Sequence, residues 1–161
     1  MGKKYVINNK DSVSKDSLIL TKNGYKKIID CHNEDIVVPY TVGEEMDTTC
    51  IDGQKYSSFT TYTKGYITSE GIKLTYLVKF HNNSSIRVTE SSKFLVPYAC
   101  LFGFDDTFLW KELNELKVGD LVATNGKIKR IIDIKEFGLE DVYSISLSSN
   151  NFIANDCIIH I

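Results

Sequence analysis

The side chains able to do chemistry in this chain are few and far apart in sequence. Ser12 opens a Ser/Lys/Asp-rich stretch, Ser12-Val-Ser-Lys-Asp-Ser17, Thr89 and Ser92 bracket Thr89-Glu-Ser-Ser92, and His160 follows the apolar run Cys157-Ile-Ile159. A serine hydroxyl is a poor nucleophile at neutral pH unless a neighbour accepts its proton, whereas an imidazole exchanges a proton near pH 7. Residue by residue, the readings are plain: Ser12 a loop serine, Thr89 and Ser92 turn hydroxyls capping a hairpin, His160 an incidental histidine. Cys31, Cys50, Cys100 and Cys157 show no CxxC or metal-ligand spacing, so neither a zinc site nor a disulfide framework is indicated. They read as reduced thiols in a cytosol-like compartment.

The elements that must position these groups read as strands. In Ile72-Lys-Leu-Thr-Tyr-Leu-Val-Lys-Phe80, Ile72, Leu74, Tyr76, Val78 and Phe80 alternate with polar neighbours, the period-two pattern of a half-buried strand. Short apolar runs recur at Leu18 to Leu20, Ile36 to Val38, Ser57 to Tyr62, Ile86 to Val88, Phe94 to Val96, Leu121 to Ala123, Ile128 to Ile134 and Val142 to Leu147. Asn23-Gly24 and Asn125-Gly126 offer positive φ angles for hairpin turns. Leu109 to Leu116 is the one segment with a credible helical turn. The expectation is an all-β domain of many short strands.

With 161 residues and 42% hydrophobic content, the chain suits one packed domain. The formal net charge of −2 and the dispersed lysines give nucleic-acid binding no support. A secretory signal and an apolar run of membrane-spanning length are both missing, so a soluble, cytoplasmic protein is expected. Met1 to Lys10 and the polar stretch Gly43 to Gly53 are the plausible flexible segments.

Two segments carry a resemblance. The last twenty-one residues place Val142-Tyr143 before Asn151-Phe152, then Ala154, Asn155-Asp156, an apolar run through Ile158-Ile159, and His160. At the other end stands Ser12-Val-Ser-Lys-Asp-Ser-Leu-Ile-Leu-Thr-Lys-Asn-Gly24. These resemble the C-terminal and N-terminal blocks of an intein, at the spacing of a mini-intein without a homing endonuclease. Lys117-Val-Gly-Asp-Leu-Val-Ala123 resembles the Val-Gly-Asp turn of such domains, with Gly119 permitting a tight turn and Asp120 bonding its own backbone.

The resemblance implies a horseshoe-shaped, pseudo-twofold β domain of the Hedgehog/intein (Hint) type over residues 12–161, with both ends meeting in a cleft and residues 1–11 forming an upstream extein. It implies autocatalytic splicing: Ser12 attacks the carbonyl of Asp11 in an N–O acyl shift, Thr89 and Ser92 hold the scissile bond, and His160 assists cyclisation of a terminal Asn after transesterification. Splicing requires no cofactor or metal. The expected partners are the flanking exteins in cis, or a complementary fragment if the intein is naturally split near Glu45 and Met46, and the domain is expected to be a monomer.

This sequence departs from the family pattern at four places. Ser92 stands where a histidine normally donates a proton to the departing nitrogen; Ser144 replaces an Asp on the Val-Tyr-Asp strand; Asn150 replaces a histidine before Asn151; and Ile161 replaces the terminal Asn. Lys93 and Asp11 are substitute proton donors by sequence proximity alone. With Ile161 and no downstream nucleophile, splicing is expected to arrest before ligation. Two rivals follow: an intein-like domain that only cleaves, and a degenerate all-β binding scaffold.

Overall fold

The computed structural model describes residues 11–38, 61–98 and 107–161. Among them lie twelve strands and no α-helix: β1 (Val13–Ser14), β2 (Leu18–Thr21), β3 (Gly24–Lys27), β4 (His32–Val38), β5 (Thr61–Phe80), β6 (Ser85–Val88), β7 (Lys93–Tyr98), β8 (Thr107–Glu112), β9 (Leu121–Thr124), β10 (Lys127–Ser146), β11 (Asn151–Ala154) and β12 (Cys157–His160). Most of Ser57 to Tyr62, the stretch Gly43 to Gly53, the Glu45–Met46 junction, Cys50 and Cys100 fall outside the described residues.

Two 20-residue strands organise the sheet. The first residues of β5 pair with β4, its last with β6, and the stretch from Tyr66 to Phe80 with β10. β10 repeats this plan: Lys127 to Arg130 pair with β9, Val142 and Tyr143 with β1, and Ile131 to Ser146 with β5. The pseudo-twofold relation therefore runs through the β5/β10 ribbon, and it places β6 and β1 side by side, with Val13 opposite Val88. The two runs read separately in the sequence, Ile128 to Ile134 and Val142 to Leu147, belong to one strand. Between them, register shifts at Glu136/Gly138 and Asp141/Tyr143 bend the ribbon.

The helical turn expected at Leu109 to Leu116 is largely a strand. Leu109 lies in β8, paired with Val96, and only Leu113–Glu115 forms a single 3-10 turn. The four-residue spacing of Leu109 and Leu113 suits a strand as well as a helix over so short a segment, and the ladder to β7 decides for the strand. Hairpin chemistry also differs in detail. In the β2/β3 hairpin the turn residues are Lys22 and Asn23, with Thr21 paired to Gly24, and Gly24 takes the positive φ of 104° as a bulge-type residue. Asn125-Gly126 does sit at the β9/β10 turn, where Gly126 has φ 75°. The double positive-φ turn is Asn155-Asp156, at φ 47° and 70°, joining β11 to β12.

The core is built from the inward faces. Val13, Ile19, Ile36, Val78, Phe80, Ile86, Val88, Phe94, Ile131 and Ile159 belong to one cluster, and Leu95, Ile128, Ile153 and Ile158 to a second under Leu20, Trp110 and Leu121. Cys157 is fully buried and apolar in role, as the position between Asp156 and Ile158 suggested. Cys31 and Cys157 are both free, and burial raises both thiols, Cys31 to about 11. Side chains close over Gly65 where β5 meets β4 and the end of β10: a Cβ there would lie 2.5 Å from Ile36 Cγ1 and 2.7 Å from Leu147 Cδ2. The Val-Gly-Asp turn forms as expected, with Gly119 at φ 100° and the Asp120 carboxylate accepting the Lys117 N–H at 2.9 Å.

Candidate active site

β1 is two residues long and lies between β6 and β10, which puts Ser12, the residue before it, in the middle of the sheet. Ser12 is buried. On its β6 side the chain leaves the strand into the turn Thr89-Glu-Ser-Ser92, closed by the Ser92 N–H donating to the Thr89 carbonyl at 3.0 Å. That turn brings two hydroxyls onto the Ser12 backbone. The Ser12 N–H donates to Thr89 Oγ1 at 3.2 Å, Thr89 Oγ1 and Ser92 Oγ are 3.0 Å apart, and Ser92 Oγ donates to the Ser12 carbonyl at 3.2 Å.

With Thr89 donating to Ser92, these three bonds form a closed ring in which each hydroxyl accepts from one neighbour and donates to the next, an arrangement that polarises its own links. The Thr89 N–H adds a further donor to the Ser12 carbonyl at 3.1 Å, and Thr89 Oγ1 stands 3.4 Å from that oxygen. Thr89 and Ser92, buried themselves, thus grip Ser12 on both its nitrogen and its carbonyl. The Asp11–Ser12 peptide bond ends at the nitrogen that Thr89 holds.

Asp11 opens into a cleft of about 570 Å³ lined also by Glu90, Ser91, Lys93, Glu112, Asn114 and Ile161. Burial raises the Asp11 carboxyl above its ordinary value; a hydrogen bond from Ser91 and the charges of Lys93 and His160 oppose the rise, and Glu112 adds to it. Lys93, proposed from sequence proximity, is therefore spatially beside Asp11, at the start of β7 opposite Glu112.

The other end of the chain reaches the same cleft. β12 pairs with β11 along its length and touches β7 at Ile159 opposite Phe94, so His160 sits opposite Asn151. Its Nδ1 lies 2.6 Å from the Ile161 main-chain oxygen, an acceptor, which assigns the proton to Nδ1. Trp110 packs edge-on against the imidazole, ring centroids 4.8 Å apart. The Ile161 N–H donates to the Asn150 carbonyl at 2.8 Å, and the Asn151 amide donates to Asn150 Oδ1 at 2.7 Å. The Asn150 carbonyl thereby holds Ile161, and the Asn150 side chain holds the Asn151 amide.

Ser144 lies in β10, buried, and donates to a Glu70 carboxylate oxygen at 2.7 Å. Glu70, Ser91, Trp110 and Glu112 escaped the sequence reading. Glu70 sits in an exposed polar arc of β5 ahead of Gly71, and no local pattern marks such a residue; only the β5/β10 pairing brings it to Ser144. A second polar group adjoins the site: Ser14 Oγ donates to Glu140 at 2.8 Å and accepts from Arg87 at 2.8 Å, and Arg87 pairs with Asp16 and Glu140. No group of three or more His, Cys, Asp or Glu able to hold a metal occurs among the described residues.

No protein-family model matches the sequence, and no curated protein matches it. Solved structures do. The Ssp DnaB mini-intein variant M86 superposes with a TM-score of 0.70 at 22% identity, over 99% of this chain and 97% of its own. The DnaX mini-intein from Spirulina platensis gives 0.67 at 16% identity, over 93% and 99%. A bacterial intein-like domain from Clostridium thermocellum gives 0.66 at 13%, over 93% and 98%. The all-β architecture, with Asp11 and Ile161 lining one cleft, is the Hedgehog/intein fold. Near-complete coverage in both directions extends that fold over almost the whole length of each of these small domains.

Proposed function

We propose that residues 12–161 form a protein-splicing domain acting on its own flanking chain, with residues 1–11 as upstream extein. Ser12 Oγ attacks the Asp11 carbonyl, the C–N bond breaks, and the Asp11 acyl group moves to oxygen as an ester. The observation that carries this reading is the ring of hydrogen bonds through which Thr89 and Ser92 hold the Ser12 nitrogen and carbonyl. It fixes the serine against the bond it must attack, and held geometry supplies much of the advantage of an intramolecular reaction. As the nitrogen pyramidalises it becomes basic, and the Thr89 hydroxyl that accepted its N–H turns to donate to it.

At the downstream end, His160 Nδ1–H polarises the carbonyl of residue 161. An Asn at that position would cyclise and release the downstream chain after transesterification; the Ile161 side chain has no nitrogen with which to attack. The present sequence therefore arrests before ligation. The chain acts as a monomer on exteins in cis, or on a complementary fragment if it is naturally split. The reaction draws its groups from the polypeptide and requires no cofactor.

A cleavage-only domain is the second reading, favoured by the same Ile161 and by the likeness to an intein-like domain. One experiment separates the two readings: intact mass spectrometry of the Ile161→Asn variant extended by Ser and a short peptide. Excised domain plus joined flanks is the splicing outcome. Release of residues 1–11 without joining selects cleavage, and an unchanged precursor overturns both in favour of a scaffold.

A further inference from the structure

The Ser12 hydroxyl needs a proton acceptor, and the β1/β10 register shows where one stands. Val13 pairs with Tyr143 and Ser14 with Val142, and the Lys15 N–H bonds the Asp141 carbonyl at 3.1 Å, so Ser12 lies opposite Ser144 one step further along. Directly opposed residues in an antiparallel pair share a face, with Cβ atoms about 4.5–5.5 Å apart. The alternation of hydrogen-bonded pairs makes this one of the closer, non-hydrogen-bonded kind. Both serines are buried, at 2% and 3% exposure. Ser144 in turn spends its hydroxyl proton on Glu70 at 2.7 Å, so its oxygen is left to act as an acceptor.

We infer that Glu70 is a positioning residue for the nucleophile: through Ser144 it presents an acceptor oxygen to the Ser12 hydroxyl and takes up the proton that the attack releases. The inference rests on the proposed acyl shift. In that step the Ser12 Oγ–C bond forms and the Asp11 C–N bond breaks. The Ser12 hydroxyl proton passes to Ser144 while the Ser144 proton passes to Glu70. The Ser12 nitrogen takes one proton from cleft water, relayed through the Thr89 hydroxyl, which gives one proton as it gains another, so the isomerisation has no net proton demand once Glu70 returns its proton to solvent. Glu70 is partly exposed, which suits that return.

The test is hydroxylamine-triggered release of residues 1–11, followed by intact mass, in the parent chain, Ser12→Ala, Glu70→Gln, and Glu70→Gln combined with Ser144→Asp. Gln keeps an acceptor for the Ser144 hydroxyl and removes only basicity, so the fold is preserved, as matched melting temperatures will verify. The expected result is a rate at least about tenfold lower in Glu70→Gln, restored when Ser144→Asp returns a carboxylate one link closer. A loss from mere structural damage would not be rescued that way. Ser12-dependent release that Glu70→Gln leaves unchanged, or that Ser144→Asp fails to restore, overturns this inference alone. No Ser12-dependent release in the parent chain overturns the splicing reading and this inference with it.

Discussion

The Thr89 hydroxyl oxygen stands 3.2 Å from the backbone nitrogen of Ser12 and 3.0 Å from Ser92 Oγ. The first of these atoms is the one that the proposed acyl shift expels, and the second is the serine found where inteins usually place a histidine. Thr89 thus joins the leaving nitrogen to the site of the missing imidazole.

If Thr89 is the last donor to that nitrogen, Thr89→Val, which keeps the shape and removes the hydroxyl, lowers hydroxylamine-dependent release of residues 1–11 by about a hundredfold, the scale on which single positioned donors act. Thr89→Ser retains most of the rate. Because the valine also leaves the Ser12 N–H without its acceptor, the variant loses about 1–3 kcal/mol of stability. Equal rates in Thr89→Val and parent would remove the hydroxyl from the mechanism.

Serine at position 92 can hold a hydrogen bond but cannot donate a proton near neutral pH. Ser92→His supplies an imidazole two links from the Ser12 nitrogen, so release accelerates and acquires a pH dependence with an apparent pKa near 6.5. Ser92 is completely buried, and the larger ring costs about 1–3 kcal/mol through overpacking. Rate per folded molecule is the quantity to compare, with the folded fraction measured by circular dichroism; a slower variant at equal folded fraction would show that this position does not face the leaving group.

Thr89, Ser92, Ser12 and His160 stand out as candidates because each belongs to a short segment whose order along the chain resembles the intein pattern, and the structure brings the Thr89 and Ser92 hydroxyls onto the Ser12 backbone. The strands followed from alternation at Ile72 to Phe80 and from apolar runs elsewhere. What local pattern could not supply is the pairing of distant strands. Glu70 is unremarkable until β5 lies against β10, and Lys93 and Glu112 flank Asp11 only because β7 and β8 pair next to the chain's end. The Leu109 to Leu116 segment misled because three leucines at helical spacing also suit a strand that ends in a single tight turn.

Asp11 gives the fold a pH signature. Its ordinary value is 3.8, and burial raises it in the folded state. Between the two values the folded chain holds a proton that the unfolded chain has lost. The associated stability is complete below the unfolded value and is lost as pH rises through the folded one. Asp11→Asn, made in a Ser12→Ala background to prevent cleavage, therefore melts higher than its parent at neutral pH, and the difference vanishes near about pH 3. A gap that persists at low pH would trace the effect to packing instead.

The Asn155-Asp156 turn ties the C-terminal hairpin, and hence His160, to the rest of the sheet. Asn155 adopts φ 47°, accepts the Leu18 N–H on its Oδ1 at 2.7 Å and donates from Nδ2 to the Ser85 carbonyl at 3.0 Å. One residue thus bridges β2, β6 and the turn. Asn155→Gly tolerates the left-handed backbone but loses both bonds, for about 1–3 kcal/mol at net hydrogen-bond values. Asn155→Ala loses the same bonds and adds the left-handed strain of about 1–2 kcal/mol. Urea unfolding at constant m-value should order them parent, Gly, Ala in falling midpoint. Because β12 carries His160, Asn155→Ala should also slow Ile161→Asn-dependent downstream cleavage while leaving the Ser12 step, held by β1 and β6, near the parent rate. Equal losses at both steps would mean that the hairpin and the Ser12 clamp move as a single unit.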